Sequence, residues 1–252
     1  MYKPKDFEIF HIHTHRCKHA SEEEDFRYVE AAIGLGASRI VFTDHVPFPG
    51  NPFRNRMDME QLPEYLNSMN QLKKEYAPQI EDLAGLEVEY LPSFDSYYRE
   101  LAGMKELDLL TIGQHFYENE DGSWSFMDAD KSQEYVGLCK AIVQGIETGL
   151  FDVVAHPDRS FRRCKSWSQG VMHAGYEVIL AAREHQVYLE KNLTSMRRKN
   201  HYWEDFWVRA GMNPCLEGYD AHSVEEMEKI WRGKYGMLSQ EELNRLLGGV
   251  KE

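Results

Sequence analysis

Seven short apolar runs recur along the chain, and six of them carry a His, Asp or Glu at or just beyond the carboxyl end. We predict a strand for each run, at Glu8–His11, Arg39–Thr43, Leu83–Val88, Leu107–Ile112, Asp152–Ala155, Val187–Glu190 and Cys215–Gly218. Helices are predicted between them at Glu22–Leu35, Met59–Tyr76, Lys131–Thr148 and Ser223–Trp231. Alternating strands and helices predict a parallel sheet, either open and doubly wound or closed into a barrel.

The polar strand ends favour the barrel. They read HIHTH, TDH, GLEVE, GQH, AHPD and YDAH in chain order. In a parallel barrel the carboxyl ends of all strands open onto one face, which is where barrel active sites lie. An open sheet would spread the same residues along a line too long for a single site. We therefore expect an α/β chain with a barrel sheet.

Length and composition bound the class of protein. The 252 residues suit one α/β barrel, so a single domain over residues 1–252 is expected. The net charge of −13 argues against a protein that holds nucleic-acid backbone, which requires basic patches. We find no signal peptide, no apolar run approaching 18 residues and no CxxC pair. A cytoplasmic protein with no membrane partner is predicted, and its oligomeric state is left open.

The histidines indicate a metal site. His11 and His13 are two residues apart on a predicted strand, so both imidazoles should point to one face. His19 follows in the next loop, and His45 follows Asp44 at the next strand end. Neutral imidazole and carboxylate are the ligands expected for zinc, iron or manganese. Satisfied polar residues at strand ends are the alternative, but packing explains so many histidines at strand ends poorly.

These motifs resemble those of the PHP (polymerase and histidinol phosphatase) superfamily in kind and order. HIHTHRCKHA, GQHF and HPD look most like the histidinol-phosphatase branch. The resemblance covers the chain from His11 to His222. It implies a distorted seven-stranded (β/α)7 barrel that holds three divalent transition-metal ions, which could be zinc, iron or manganese.

The resemblance also implies a ligand set for each ion. One ion would be held by His11, His13, Glu87 and Asp220, a second by His19, His45 and His222, and a third by Glu87, His115 and His156. Glu87 would bridge two ions, and Glu89, on the same strand face, is its rival. Glu87, Asp220 and His222 are the predicted catalytic residues, with a metal or His222 assisting the leaving alcohol.

Four further residues are candidates for binding substrate. Arg159, Arg162 and Arg163 follow the fifth strand, and an arginine there could clamp phosphate oxygens. Arg162 comes first because its spacing best matches the family, although basic loop residues are usually only solvated. His15 could face substrate or solvent.

Four other residues have open interpretations. Cys17 is interpreted as a small packing residue rather than a nucleophile, because no base can be assigned to it. Asp44 either orients an imidazole or caps a strand end. Tyr219 stands where a small residue often precedes the Asp, so it could narrow the pocket. Lys191 stands where an apolar residue is usual, so it could likewise change which substrate is accepted.

The expected function is metal-dependent hydrolysis of a small phosphomonoester. L-histidinol phosphate, cleaved to L-histidinol and phosphate in histidine biosynthesis, is the first candidate, with a hydroxide bridging the metals as nucleophile. The alternatives are a PHP phosphoesterase acting on another small phosphate or a nucleotide, and a non-catalytic PHP module. An amidohydrolase barrel is a weaker rival, because no strand end offers the bridging Lys that such a site usually uses.

Overall fold

The computed structural model describes residues 2–125, 131–159, 164, 168–194 and 201–237. Within them the chain divides into two compact units. The histidine unit contains residues 5–83 and 219–237, and the glutamate unit contains residues 2–4 and those described between 84 and 218. One domain over residues 1–252 stays a prediction.

Seven strands form one sheet in the order β1-β2-β3-β4-β5-β6-β7. They are β1 (Glu8–Ile12), β2 (Arg39–His45), β3 (Glu81–Val88), β4 (Leu109–Ile112), β5 (Val153–Val154), β6 (Tyr188–Asn192) and β7 (Cys215–Gly218). Every predicted strand is confirmed, with ends that differ by at most two residues. Strands β1 to β5 are mostly apolar and buried, as expected for a parallel sheet, whereas β6 and β7 also contain half-buried residues.

The pairing order identifies the fold class. β1 pairs with β2, and β3 to β7 pair in sequence, all in parallel. Just beyond β7 the chain pairs with β1: the Tyr219 amide donates to the Phe10 carbonyl at 2.9 Å and the Ala221 amide to His11 at 3.2 Å. The strand order thus returns to its start, which is the order of a (β/α)7 barrel and confirms the prediction.

The described residues contain seven α-helices. They are α1 (Asp25–Leu35), α2 (Leu62–Tyr76), α3 (Asp95–Ala102), α4 (Lys131–Glu147), α5 (Gln169–Glu184), α6 (His201–Arg209) and α7 (Val224–Lys234). The four predicted helices are confirmed, whereas α3, α5 and α6 were not predicted. α1 packs against α2 and α7 in the histidine unit, and α4 packs against α5 in the glutamate unit.

The helix ends follow the sequence signals in most cases. Gly36 ends α1 in the left-handed conformation (φ 81°), and Ser223 caps α7 by accepting from the Glu226 amide at 3.1 Å. The start predicted for α1 is wrong by three residues. The Ser21 hydroxyl donates to the Glu23 carboxylate instead of capping, so the helix begins at Asp25.

Two smaller findings complete the fold. Phe206 and Trp207 of α6 are buried, as expected for core residues, while the Trp203 side chain lies outside the described part of the chain. Among the described residues, no helix is both long and apolar enough to cross a bilayer.

Candidate metal centre

The histidine unit brings His11, His13 and Asp220 together. The Nε2 atoms of the two imidazoles lie 3.0 Å apart, and Asp220 Oδ1 lies 3.4 Å from His13 Nε2 and 3.7 Å from His11 Nε2. All three side chains are buried. One carboxylate oxygen and two imidazole nitrogens at these separations could all bind a single cation placed between them.

The backbone at this cluster is strained. His11 has φ 75°, where the register between β1 and β2 shifts, and Asp220 has φ 51°. A non-glycine residue in the left-handed region costs on the order of 1–3 kcal/mol and tends to occur at functional sites. His11 therefore departs from the regular strand that was predicted, whereas the imidazoles of His11 and His13 do lie on one side, as predicted.

A second group of imidazoles surrounds His13. His13, His45 and His222 offer ring nitrogens that all lie within 4.8 Å of one another. The ring centroid of His13 is 4.6 Å from that of His45 and 4.4 Å from that of His222. The His19 ring lies 4.6 Å from the His222 ring and 5.4 Å from the His45 ring. The four predicted ligands on this side are thus gathered in one place.

Hydrogen bonds fix the tautomers of two of these rings. His19 Nδ1–H donates to the Cys17 carbonyl at 2.7 Å, and His222 Nδ1–H donates to the Asp220 carbonyl at 3.1 Å. In both rings the lone pair is then on Nε2, the atom available for metal. His222 Nε2 is buried and has no hydrogen-bond partner among the described residues. A buried imidazole nitrogen with no hydrogen-bond partner is typical of a histidine that binds a metal ion.

A buried network supports this cluster from behind. Asp44 accepts from the Thr14 amide and the Thr14 hydroxyl, both at 2.5 Å, and from the Cys17 thiol at 3.1 Å. Burial raises the pKa of the Asp44 carboxyl, and these hydrogen bonds act in the opposite direction. Asp44 therefore does more than cap a strand end, because the Cys17 thiol that it accepts from also contacts the His13 imidazole.

Arg16 anchors the same network and was not predicted. Its guanidinium donates to both carboxylate oxygens of Asp25 (2.9 and 2.8 Å), to both of Glu64 (2.8 and 2.7 Å) and to the Thr14 hydroxyl (2.9 Å). Burial alone would lower the pKa of Arg16, but these carboxylates raise it overall. Nothing in the sequence distinguishes this arginine, between two histidines, from an exposed one.

The glutamate unit holds a second cluster. Glu87 Oε1 lies 2.8 Å from His156 Nε2 and 3.9 Å from His115 Nε2. Glu89 Oε1 instead accepts from His115 Nδ1–H at 2.9 Å. Glu87 therefore faces the side of both rings that would bind metal, while Glu89 orients one ring from behind. This placement favours Glu87 over Glu89 as the ligand.

Close packing on glycine shapes this cluster. A Cβ on Gly113 would lie 1.9 Å from Glu87 Oε1, and one on Gly218 would lie 1.5 Å from Glu190 Oε1. Glu190 is fully buried and accepts from the His156 amide at 2.8 Å, while His156 itself has φ 31°. Glu190, in the middle of β6, was missed as a site residue, although the predicted sixth strand ended on this carboxylate.

The predicted substrate residues have different outcomes. Arg159 Nη1 lies 3.0 Å from His156 Nε2, so this arginine reaches the cluster. Arg162 and Arg163 lie outside the described residues. His15 is half-buried, with Nδ1 3.9 Å from Asp25 Oδ1. Beside Arg159 is a cavity of about 180 Å³, lined by Gln114, His115, Glu134, Tyr135, Leu138, Ile142, Ala155, His156, Pro157 and Arg159.

Of the two departures from the family pattern, Tyr219 is packed away from solvent and Lys191 is half-buried. Tyr219 is fully buried, and the Lys234 ammonium lies 5.9 Å from the centre of its ring. The Lys191 ammonium lies 5.8 Å from the ring centre of Trp207. Both residues therefore have packing partners within their own units.

The fold and these side chains define the class: a parallel α/β barrel whose strand ends carry imidazoles and carboxylates arranged as divalent-metal ligands. The family model of the PHP domain matches residues 10–204, so the chain belongs to the PHP family.

Individual relatives agree with this assignment. A Deinococcus radiodurans protein named "Probable histidinol-phosphatase" is 32% identical over 160 residues, and the match covers 59% of each chain. A crystal structure from Listeria monocytogenes is 19% identical, covers 87% of this chain and 96% of the other, and has a TM-score of 0.75.

A third relative was crystallised with ligands. The histidinol phosphate phosphatase of Lactococcus lactis, in complex with zinc, L-histidinol and phosphate, is 21% identical, covers 90% of this chain and 92% of its own, and has a TM-score of 0.67. The two structural likenesses confirm the predicted barrel fold.

Proposed function

We propose that the protein is a metal-dependent phosphomonoesterase that hydrolyses L-histidinol phosphate to L-histidinol and phosphate. The observation that carries the proposal is the orientation of the imidazoles. His19, His222 and His115 each donate Nδ1–H to an oxygen and so keep Nε2 for a metal. The Lactococcus lactis relative, which holds zinc, L-histidinol and phosphate, supports the choice of metal chemistry and substrate.

The proposal includes three divalent ions of zinc, iron or manganese. The ligand sets are those given by the family resemblance: His11, His13, Glu87 and Asp220; His19, His45 and His222; and Glu87, His115 and His156. Bound divalent ions supply Lewis-acid activation of the phosphate ester and of water. The buried, unpartnered His222 Nε2 and the convergence of His11, His13 and Asp220 support divalent metal at these positions.

The chain's own residues would hold and orient the ester. Arg159 would donate to phosphate oxygens, since its guanidinium already reaches the imidazole of His156. Glu134 lines the same cavity and is buried, so its carboxylate could bind the ammonium group of an amino alcohol. A cation-binding carboxylate and an anion-binding arginine in one small cavity suit a substrate that carries both charges.

The net charge of the chain bears on the size and kind of its substrate. A net charge of −13 suits a small phosphate ester and disfavours long nucleic acid as a substrate. Action in the cytoplasm, as part of histidine biosynthesis, completes the proposed role. The match spans 59% of the Deinococcus radiodurans relative.

Phosphate release tests the proposed function. Metal-reconstituted protein should hydrolyse histidinol phosphate with a kcat/KM well above that for a generic aryl phosphate or a short DNA strand. A strong chelator should abolish the reaction. Equal kcat/KM values for histidinol phosphate and aryl phosphate would indicate a phosphoesterase whose substrate is another small phosphate. A higher kcat/KM for the DNA end would indicate a nuclease. No hydrolysis of any ester would indicate a non-catalytic module.

A further inference from the structure

Cys17 occupies a buried position behind His13. Its Sγ lies 3.4 Å from His13 Nδ1, 3.1 Å from Asp44 Oδ1 and 3.2 Å from the amide nitrogen of His45. The thiol is fully buried. A residue that only filled space would not need polar neighbours on three sides.

The hydrogen bonds around this sulfur have one consistent assignment. The thiol S–H donates to Asp44 Oδ1, because that oxygen also takes the Thr14 amide N–H and is therefore an acceptor. The sulfur lone pairs then accept from the His45 amide and from His13 Nδ1–H. With its proton on Nδ1, His13 keeps the lone pair on Nε2, which is the atom that faces His11 Nε2 and Asp220.

Three other imidazoles show the same arrangement with oxygen acceptors. His19 and His222 donate Nδ1–H to backbone carbonyls, and His115 donates it to Glu89. In each case an acceptor behind the ring selects the tautomer that leaves Nε2 for a metal. At His13 the Cys17 sulfur stands where those rings have oxygen.

We propose that Cys17 is a positioning residue: its thiol, oriented by Asp44, holds His13 in the tautomer that binds metal through Nε2. Thr14 supports this arrangement, since it donates twice to Asp44 and accepts from Arg16. Cys17 is then neither the nucleophile nor a mere packing residue. The inference rests on the proposed metal centre, and its experiment separates the two.

The experiment compares three variants in zinc binding. Cys17→Ala removes the hydrogen bonds, Cys17→Ser keeps a donor and acceptor, and Cys139→Ala removes a second buried thiol, from α4 in the glutamate unit. Zinc affinity is measured by competition with a chromogenic chelator. Loss of an outer partner of a ligating histidine typically weakens metal affinity about 10- to 100-fold. We expect that loss for Cys17→Ala, wild-type affinity for Cys139→Ala and substantial recovery for Cys17→Ser.

Two results would overturn the inference. Equal zinc affinity in Cys17→Ala and Cys139→Ala would show that the hydrogen bonds do not matter, and equal loss in the alanine and serine variants would show that hydrogen-bonding capacity is not what the site requires. X-ray absorption of the zinc protein provides a third test. A sulfur scatterer about 2.3 Å from the metal would make Cys17 a ligand instead of a positioning residue.

A measurement on metal-free wild-type protein keeps the test independent of zinc binding and of how the variants fold. Long-range ¹H–¹⁵N spectra distinguish the imidazole tautomers, and we expect His13 to carry its proton on Nδ1. A proton on Nε2 would overturn the inference. If wild-type protein bound no zinc while His13 kept the Nδ1–H form, the proposed function would fail but the role of Cys17 in orienting the ring would stand.

Discussion

The two units hold their predicted metal ligands by different physical means. In the histidine unit, a chain of buried hydrogen bonds behind the imidazoles runs from Arg16 through Thr14 and Asp44 to Cys17. In the glutamate unit, Glu87 and Glu190 lie directly on the backbone of Gly113 and Gly218, with no room for a Cβ. The first cluster should therefore be sensitive to lost donors and acceptors, and the second to added volume.

The largest expected effect separates the two carboxylates of β3. Glu87→Gln should lose metal and activity together, because Glu87 faces the Nε2 side of both His115 and His156. Glu89→Gln should weaken metal affinity by at most about 10- to 100-fold, since it removes only the negative charge behind His115, and the glutamine side-chain oxygen can still accept from His115 Nδ1–H. Metal content and kcat/KM should be measured on both variants. Equal losses would mean that Glu87 has no special role.

The next effect tests packing in the glutamate unit. Gly113→Ala should displace Glu87 and lower activity at least as much as Glu89→Gln, because its Cβ would overlap the carboxyl group and Cγ of Glu87. It should also cost about 1–3 kcal/mol in unfolding free energy, the usual range for overpacking. Gly34→Ala, with nothing within 4 Å of the added Cβ, is the control and should leave activity unchanged. An active Gly113→Ala protein would contradict this account of the cluster.

A smaller effect is expected at Arg159. Arg159→Ala should lower kcat/KM for phosphate esters about ten- to a hundred-fold, because a hydrogen bond to a charged group contributes about 1.5–3 kcal/mol. Metal content should not change. Arg99→Ala, which removes an exposed arginine paired with Asp95, is the matched control. If Arg159→Ala leaves kcat/KM unchanged, Arg162→Ala and Arg163→Ala are the next variants to measure. Unchanged kcat/KM in all three would show that the metals alone bind the phosphate.

The smallest effect concerns pH and the histidine unit. The hydrogen bond from Arg16 holds the pKa of the Glu64 carboxyl below its ordinary value. A lowered folded-state pKa stabilises the protein above the unfolded pKa, about 4.3, and that contribution is lost as pH falls through the folded value. Glu64→Gln should be less stable than wild type at pH 7 by up to about 1 kcal/mol, since the Glu64 side chain is 59% exposed.

Urea unfolding at several pH values measures this contribution. The stability difference between wild type and Glu64→Gln should shrink as the pH is lowered below about 4. Glu75→Gln, on the same helix, serves as the control and should show little difference at any pH. A difference that persisted unchanged at low pH would show that Arg16 gains nothing from the Glu64 charge.

Much of the fold, and the positions of the candidate ligands in it, could be predicted because both depend on local patterns. Apolar runs located the seven strands, and polar residues at their ends located His11, His45, Glu87, His156 and Asp220. The bulge at His11 could not be predicted, because it depends on the register with β2. Arg16 was missed because its burial comes from Asp25 and Glu64, which reach it from other elements.

The glycines show the same limit. Gly113 and Gly218 look like ordinary loop or strand residues in the sequence, and their function is apparent only when a carboxylate lies against them. Glu190 was overlooked because Lys191 and Asn192 follow it, so its strand end did not resemble the others.

The central claim is that both clusters bind divalent metal. Elemental analysis of wild-type protein, purified without chelator and reconstituted with zinc, iron or manganese, tests it most directly. The account predicts close to three metal equivalents per chain, falling in Glu87→Gln and in His45→Ala. A stoichiometry that stayed at or below one after reconstitution would contradict it.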